Sequence, residues 1–132
     1  MTLPELDWQK MDGVIPAIVQ DAASGAVLMM AYMNREALIA TQKSGRVTFW
    51  SRSKNRLWTK GETSGHFLAV QSIAADCDRD ALLILAQPQG PACHLGTATC
   101  WGDSAPQSML APLAFIAELE QIIAQRIAER PP

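Results

Sequence analysis

Long apolar runs are missing from this chain. The run from Val27 to Met33 ends at Asn34-Arg35-Glu36, well short of the roughly 20 residues of a membrane helix. The basic-then-apolar plan of a signal peptide is missing from Met1-Thr2-Leu3-Pro4-Glu5 too. These absences predict a cytoplasmic protein with reduced thiols and no membrane partner. Cysteine is scarce and odd in number: three residues, with no Cys-x-x-Cys pair. That argues against a disulfide framework and against a paired-cysteine zinc ribbon. Positive charge is not in excess, with 11 Lys and Arg against 13 Asp and Glu and a net charge of −2. A globally basic nucleic-acid binder is therefore disfavoured. Repeats and low-complexity tracts are absent. Charged residues make up only 18% of the 132 residues and hydrophobic ones 48%. Wholesale disorder is excluded, and the length suits one domain or one domain plus a short appendage.

What is present reads as a β-rich α+β single domain. The first twelve residues form a polar lead-in. Val14 to Val19 and Ala26 to Tyr32 read as strands joined by the turn Gln20 to Gly25. Asn34 to Ser44 is a helix after that hairpin, with Asn34 as N-cap, Glu36 in the first turn, Lys43 in the last and Gly45 just past the end. His66 to Ala75 and Ala81 to Ala86 read as further strands, and Pro88 to Pro91 as a loop. Cys93 to Trp101 is too rich in Gly and Thr to be helical. From Pro106 to Arg130 apolar residues return at helical spacing, which predicts a C-terminal amphipathic helix broken near Pro112 and ended by Pro131. That helix is expected to pack on a dimer or on its own core.

Three clusters carry chemistry. In Asp76-Cys77-Asp78-Arg79-Asp80 an extended backbone would put the three aspartates on one face and Cys77 on the other. Their mutual repulsion suits a hard divalent cation; the alternative is a solvated acidic turn. An EF-hand is excluded, because Ala81 stands where Gly is needed and Gln87 where Glu is needed. The second cluster is Cys77, Cys93 and Cys100, spaced C-x15-C-x6-C. Three thiolates leave one tetrahedral position open on zinc, and His94 is either a fourth ligand or a general base. The alternative is three small buried hydrophobes. The third cluster is Lys43, Arg46, Arg52, Lys54, Arg56 and Lys60, with Trp50 and Trp58 interleaved and no acid among them. It suits phosphate binding and ring stacking, against the plainer reading of a charged hairpin edge. The donor-rich stretch Gly61-Glu62-Thr63-Ser64-Gly65-His66 follows directly. Together the clusters fit hydrolysis of a phosphorylated, ring-bearing small molecule.

Ser51-Arg52-Ser53-Lys54, Leu57 to His66, Asp76 to Asp80, Ala92-Cys93-His94 and Cys100 resemble phosphoribosyl-AMP cyclohydrolase of histidine biosynthesis, as does Leu28 to Leu38. The resemblance implies a zinc-activated water that attacks C6 of the adenine ring and opens the N1–C6 bond, giving a formimino-aminoimidazole carboxamide ribonucleotide. It implies Zn2+ on Cys77, Cys93 and Cys100, Mg2+ on Asp76, Asp78 and Asp80, and a homodimer whose zinc cysteines come from both subunits. His94 is then the candidate catalytic residue, and Arg52, Trp58, Lys60, Glu62, Ser64 and His66 are the candidates for binding the nucleotide substrate. Lys54 departs from the Arg common in the family, and Trp101 from the Phe. The expected organisation is a cyclohydrolase domain over 1–105 and a helical tail over 106–132, without a complete pyrophosphohydrolase domain.

Two other readings differ in class. A zinc nucleobase deaminase needs His-x-Glu and Pro-Cys-x-x-Cys, and neither occurs here. A zinc-stabilised module on RNA or single-stranded nucleic acid would use the basic tryptophan-bearing segment, and the net charge and the triple aspartate oppose it.

Overall fold

The computed structural model describes residues 2–102 and 113–131. Its opening segment is not merely a polar lead-in. Leu6 and Trp8 are buried in the core, and a single 3₁₀ turn, Gln9–Met11, stops at Asp12 in the left-handed region. Leu3 and Met11 pack against the same core, and four apolar residues scattered among polar ones are too few to mark an element in the sequence.

Strand β1, Ile15–Asp21, turns back into β2, Val27–Met33. Ile15, Ala17 and Val19 alternate into the core and are fully buried. The turn closes as the Gly25 N–H donates to the Asp21 carbonyl (2.9 Å) and the Ala23 N–H to the Asp21 carboxylate (2.8 Å). Helix α1, Arg35–Ser44, begins at the predicted cap, where Asn34 Oδ1 accepts from the Ala37 N–H at 2.8 Å. It ends at Gly45, whose φ of 72° suits a residue without Cβ. The buried Thr41 hydroxyl donates to the Ala37 carbonyl (2.9 Å) and accepts from the Thr48 N–H (2.9 Å), fixing the helix to the next strand.

That strand, β3 (Thr48–Ser51), forms a hairpin with β4 (Arg56–Thr59). Strands β5 (Leu68–Ala75) and β6 (Leu82–Pro88) complete a sheet of order β2-β1-β6-β5. The central pair β1–β6 is parallel and its flanking pairs are antiparallel. The Val47 N–H donates to the Leu68 carbonyl (3.1 Å) and the Val70 N–H to Gly45 (2.8 Å), which ties the hairpin to β5. β5 starts two residues later than the sequence suggests, because His66 belongs to a closed loop: the Gly65 N–H donates to the Gly61 carbonyl at 2.7 Å.

Helix α2, Ala114–Ala128, is present as expected. Its predicted first turns and the break near Pro112 lie outside the described residues. Phe115, Ile116, Leu119, Ile122, Ile123 and Ile127 are all exposed, so packing on its own core is not what this helix does. The architecture is mixed α+β. Among the described residues no helix is long and apolar enough to cross a membrane.

Candidate active site

The acidic stretch is a turn joining β5 to β6, not the extended segment the alternation argument requires. The Asp76 carboxylate accepts from the Asp80 N–H (2.9 Å) and the Ala81 N–H (3.1 Å). Arg79 takes a left-handed φ of 65°, and its N–H donates to the Asp76 carbonyl at 3.2 Å. The chain folds back on itself, and so one oxygen from each of Asp76, Asp78 and Asp80 lies within 4.8 Å of the others. Cys77 is exposed on the same turn.

A residue the sequence does not single out completes this cluster. Lys10 Nζ lies 2.9 Å from Asp78 Oδ2 and 2.7 Å from Asp80 Oδ2. Its bond holds the Asp78 carboxyl down at about 2. Lys10 pulls on Asp80 as well, yet desolvation and the adjoining Asp76 and Asp78 outweigh it, and Asp80 is raised. The same two carboxylates raise Lys10. Some 68 residues separate Lys10 from Asp78, and no local pattern links them.

The thiols gather elsewhere. Cys93 is buried in the loop after β6, where its N–H donates to the Thr97 carbonyl (3.1 Å) and its carbonyl accepts from the Gly96 N–H (2.9 Å). The Leu95 backbone N–H, then the Thr97 hydroxyl, lower the Cys93 thiol. Its sulfur also meets Cys100, whose thiol is raised by burial and by Cys93, against the pull of Lys60. The Cys100 N–H donates to the Leu28 carbonyl at 2.9 Å, anchoring this loop on β2. His94 is exposed beside the pair. Seven residues of β6 separate this loop from the acidic turn, roughly 20 Å of strand. Cys77 therefore stands apart from Cys93 and Cys100. Among the described residues the three aspartates are the one set of three or more His, Cys, Asp or Glu groups within mutual ligand distance.

The basic segment is the β3–β4 hairpin and its exit. Arg52 lies over the Tyr32 ring at 5.0 Å, and Arg46 over Phe67 at 3.8 Å. Trp58 packs on Phe49 with ring centroids 4.9 Å apart, so it is half-buried at the edge of the core. Loop 61–66 folds onto itself and onto the thiol loop. A Cβ on Gly61 would meet the His66 carbonyl carbon at 2.5 Å, and one on Gly90 would meet the His66 ring at 2.5 Å. Lys60, His66 and the cysteine pair thus share one end of the sheet, while the acidic turn with Cys77 occupies the other.

Glu62 has a structural part in this loop. It accepts from the Thr59 N–H (3.1 Å) and from Arg56 (3.0 Å). The Thr59 N–H, with the Arg56 guanidinium, holds its carboxyl below the usual range. A lowered acid stabilises the fold above its ordinary pKa, and that contribution is lost as pH falls through the folded-state value. Glu62→Gln should cost no more than about 1 kcal/mol near neutral pH for so exposed a group. In urea unfolding the gap between variant and wild type should shrink from about pH 7 to about pH 3; a gap independent of pH would contradict this.

The layout defines a class: a small α+β domain carrying an acidic triad, a thiol pair and a basic glycine-bearing loop on its connections. The chain belongs to the phosphoribosyl-AMP cyclohydrolase family, whose model matches residues 29–102. It is similar to the histidine biosynthesis bifunctional protein HisIE of Escherichia coli, 59% identical over 127 residues, or 96% of this chain and 60% of that protein. The HisIE protein of Salmonella typhimurium is 60% identical over 122 residues, covering 92% of this chain and 58% of that protein. That of Yersinia pestis is 55% identical over 127 residues, covering 96% and 60%. The chain spans about 60% of the length of these curated relatives.

Proposed function

We propose that this protein hydrolyses phosphoribosyl-AMP in histidine biosynthesis in the cytoplasm, opening the adenine ring between N1 and C6. The observation that carries the reading is the meeting of the lowered Cys93 thiol, Cys100, Lys60 and the 61–66 loop at one end of the sheet, within a chain of the cyclohydrolase family.

The donor sets fit two metals of different hardness: sulfur at Cys93 and Cys100 suits zinc, and the gathered oxygens of Asp76, Asp78 and Asp80 suit magnesium. Bound there, zinc supplies hydroxide near neutral pH and magnesium offsets phosphate charge. Cys93, already biased toward thiolate by the Leu95 N–H, is the readier ligand. Cys77 lies a strand's length away, which supports a homodimer in which a second copy brings its Cys77 to the pair. His94, exposed beside Cys93, transfers the proton from the attacking water to N1 as the N1–C6 bond breaks. Arg52 and Lys60 bind phosphate oxygens, while Ser64 and His66 line the loop that covers the nucleotide. Glu62 holds that loop, and Trp58 backs it from the core edge.

The test is turnover of phosphoribosyl-AMP by the purified chain, followed by the ultraviolet change on ring opening. Activity should vanish on chelation and return only when both zinc and magnesium are restored. No turnover from folded, zinc-loaded protein would overturn the assignment.

A further inference from the structure

We infer that Lys10 is a built-in competitor for the divalent cation of the acidic turn, and that it sets how tightly that cation binds. The inference rests on the reading that Asp76, Asp78 and Asp80 hold such a cation.

Three observations carry it. First, the ammonium sits where a bridging cation would sit, 2.9 Å from one carboxylate and 2.7 Å from the next. A metal ion and Nζ cannot both occupy the gap between Asp78 and Asp80. Second, Lys10 is free to leave. It stands on a single 3₁₀ turn with its side chain 46% exposed. Its flexible stem lets the strongly hydrated ammonium return to water. Third, the turn does not depend on Lys10 for its shape. The Asp76 carboxylate holds the Asp80 and Ala81 N–H groups. The opening segment is tethered separately, by the Asp7 N–H donating to the Arg79 carbonyl at 2.8 Å. The carboxylates therefore stay gathered when the ammonium swings away.

The consequence is a threshold. With Lys10 seated, three carboxylates carry one compensating charge and the loop is relieved of part of its repulsion. A singly charged ion brings no more charge than the ammonium it must displace, so it gains little. A divalent ion brings twice as much and wins above a concentration that Lys10 raises. Lys10 thus favours divalent over monovalent cations and weakens the divalent site at the same time.

The probe is Mn2+, titrated into the zinc-loaded full chain and followed by electron paramagnetic resonance, for wild type, Lys10→Met and Lys10→Arg. Lys10→Met should bind Mn2+ roughly 3–10-fold more tightly than wild type, the scale of losing two exposed ion pairs. Lys10→Arg, which keeps a cation able to span two carboxylates, should bind no more tightly than wild type. Adding Asp78→Asn should weaken binding in all three backgrounds. Equal affinity in wild type and Lys10→Met would overturn the inference while leaving the turn as a cation site. Weaker binding in Lys10→Met would also overturn it, making Lys10 a brace for the turn. Absence of Mn2+ binding in every variant would overturn both the inference and the reading beneath it.

Discussion

Mixing Cys77→Ala subunits with Cys93→Ala subunits should restore about a quarter of wild-type turnover, although each variant alone loses at least about 100-fold. The reason is the length of β6. Its seven residues hold Cys77 at one end of the sheet and the Cys93–Cys100 pair at the other. On the proposed dimer, a site needing all three thiols takes Cys77 from a second copy. In a mixed dimer one site collects both mutations and the other collects none. Random exchange makes half the dimers mixed, each with one intact site of two, hence about a quarter of full activity. The mixture should be unfolded, refolded together with zinc and assayed, with zinc content measured alongside. No recovery from folded, exchanged dimers would show that a single chain supplies the whole zinc site.

Gly61→Ala should lower stability by about 2–4 kcal/mol, visible as a fall in Tm on the order of 10 °C. Gly61 has a φ of +90°, and a Cβ there would lie 2.5 Å from the His66 carbonyl carbon and 2.6 Å from the Phe67 nitrogen. Both neighbours are backbone, so no flexible side chain can yield. The loop must reopen, and with it the positions of Ser64 and His66, so KM for the nucleotide should rise as well. Gly65→Ala is the internal comparison. Its φ is +80°, yet nothing lies within 4 Å of the added carbon, so only the backbone term of about 1 kcal/mol applies. Equal losses from the two substitutions would mean that the close approach at Gly61 contributes nothing.

The parts legible in the sequence are those whose causes are local. Asn34 and Gly45 bracket α1 because a cap is made by neighbours in the chain, and Val14 to Val19 announces a strand as a short apolar run ending in a turn with Gly25, although which of its residues are buried shows only in the fold. The acidic triad is legible for the same reason, but its explanation is not: the residues converge through a turn with Arg79 in the left-handed region, which no propensity of Arg suggests. Lys10, Leu6 and Trp8 escape notice because their partners are distant in sequence. The sequence places Cys77 before the strand at Ala81 to Ala86 and Cys93 and Cys100 after it, yet only the bond from the Cys100 N–H to the Leu28 carbonyl shows that the thiol loop stays at the far end. Helix α2 is legible by period, while the exposure of Leu119 and Ile123 is not, since apolar spacing reports a face and not what covers it.

The parallel pairing at the centre of the sheet sets an order in time. Ala17 lies opposite Leu82, so β1 must wait for β6 until the chain has passed through β2, α1, the β3–β4 hairpin and β5. The local pieces close short loops and can form within microseconds, whereas the central pair closes a long one late. The acidic turn hangs between β5 and β6 and is strapped to the opening segment through Asp7 and Arg79. Its carboxylates are gathered by bonds within that turn, whereas Lys10 reaches Asp78 and Asp80 only once the opening segment has docked beside them. A chain that lacks β1–β6 pairing thus has the helix, its hairpins and the gathered triad, but not yet the Lys10 ion pairs.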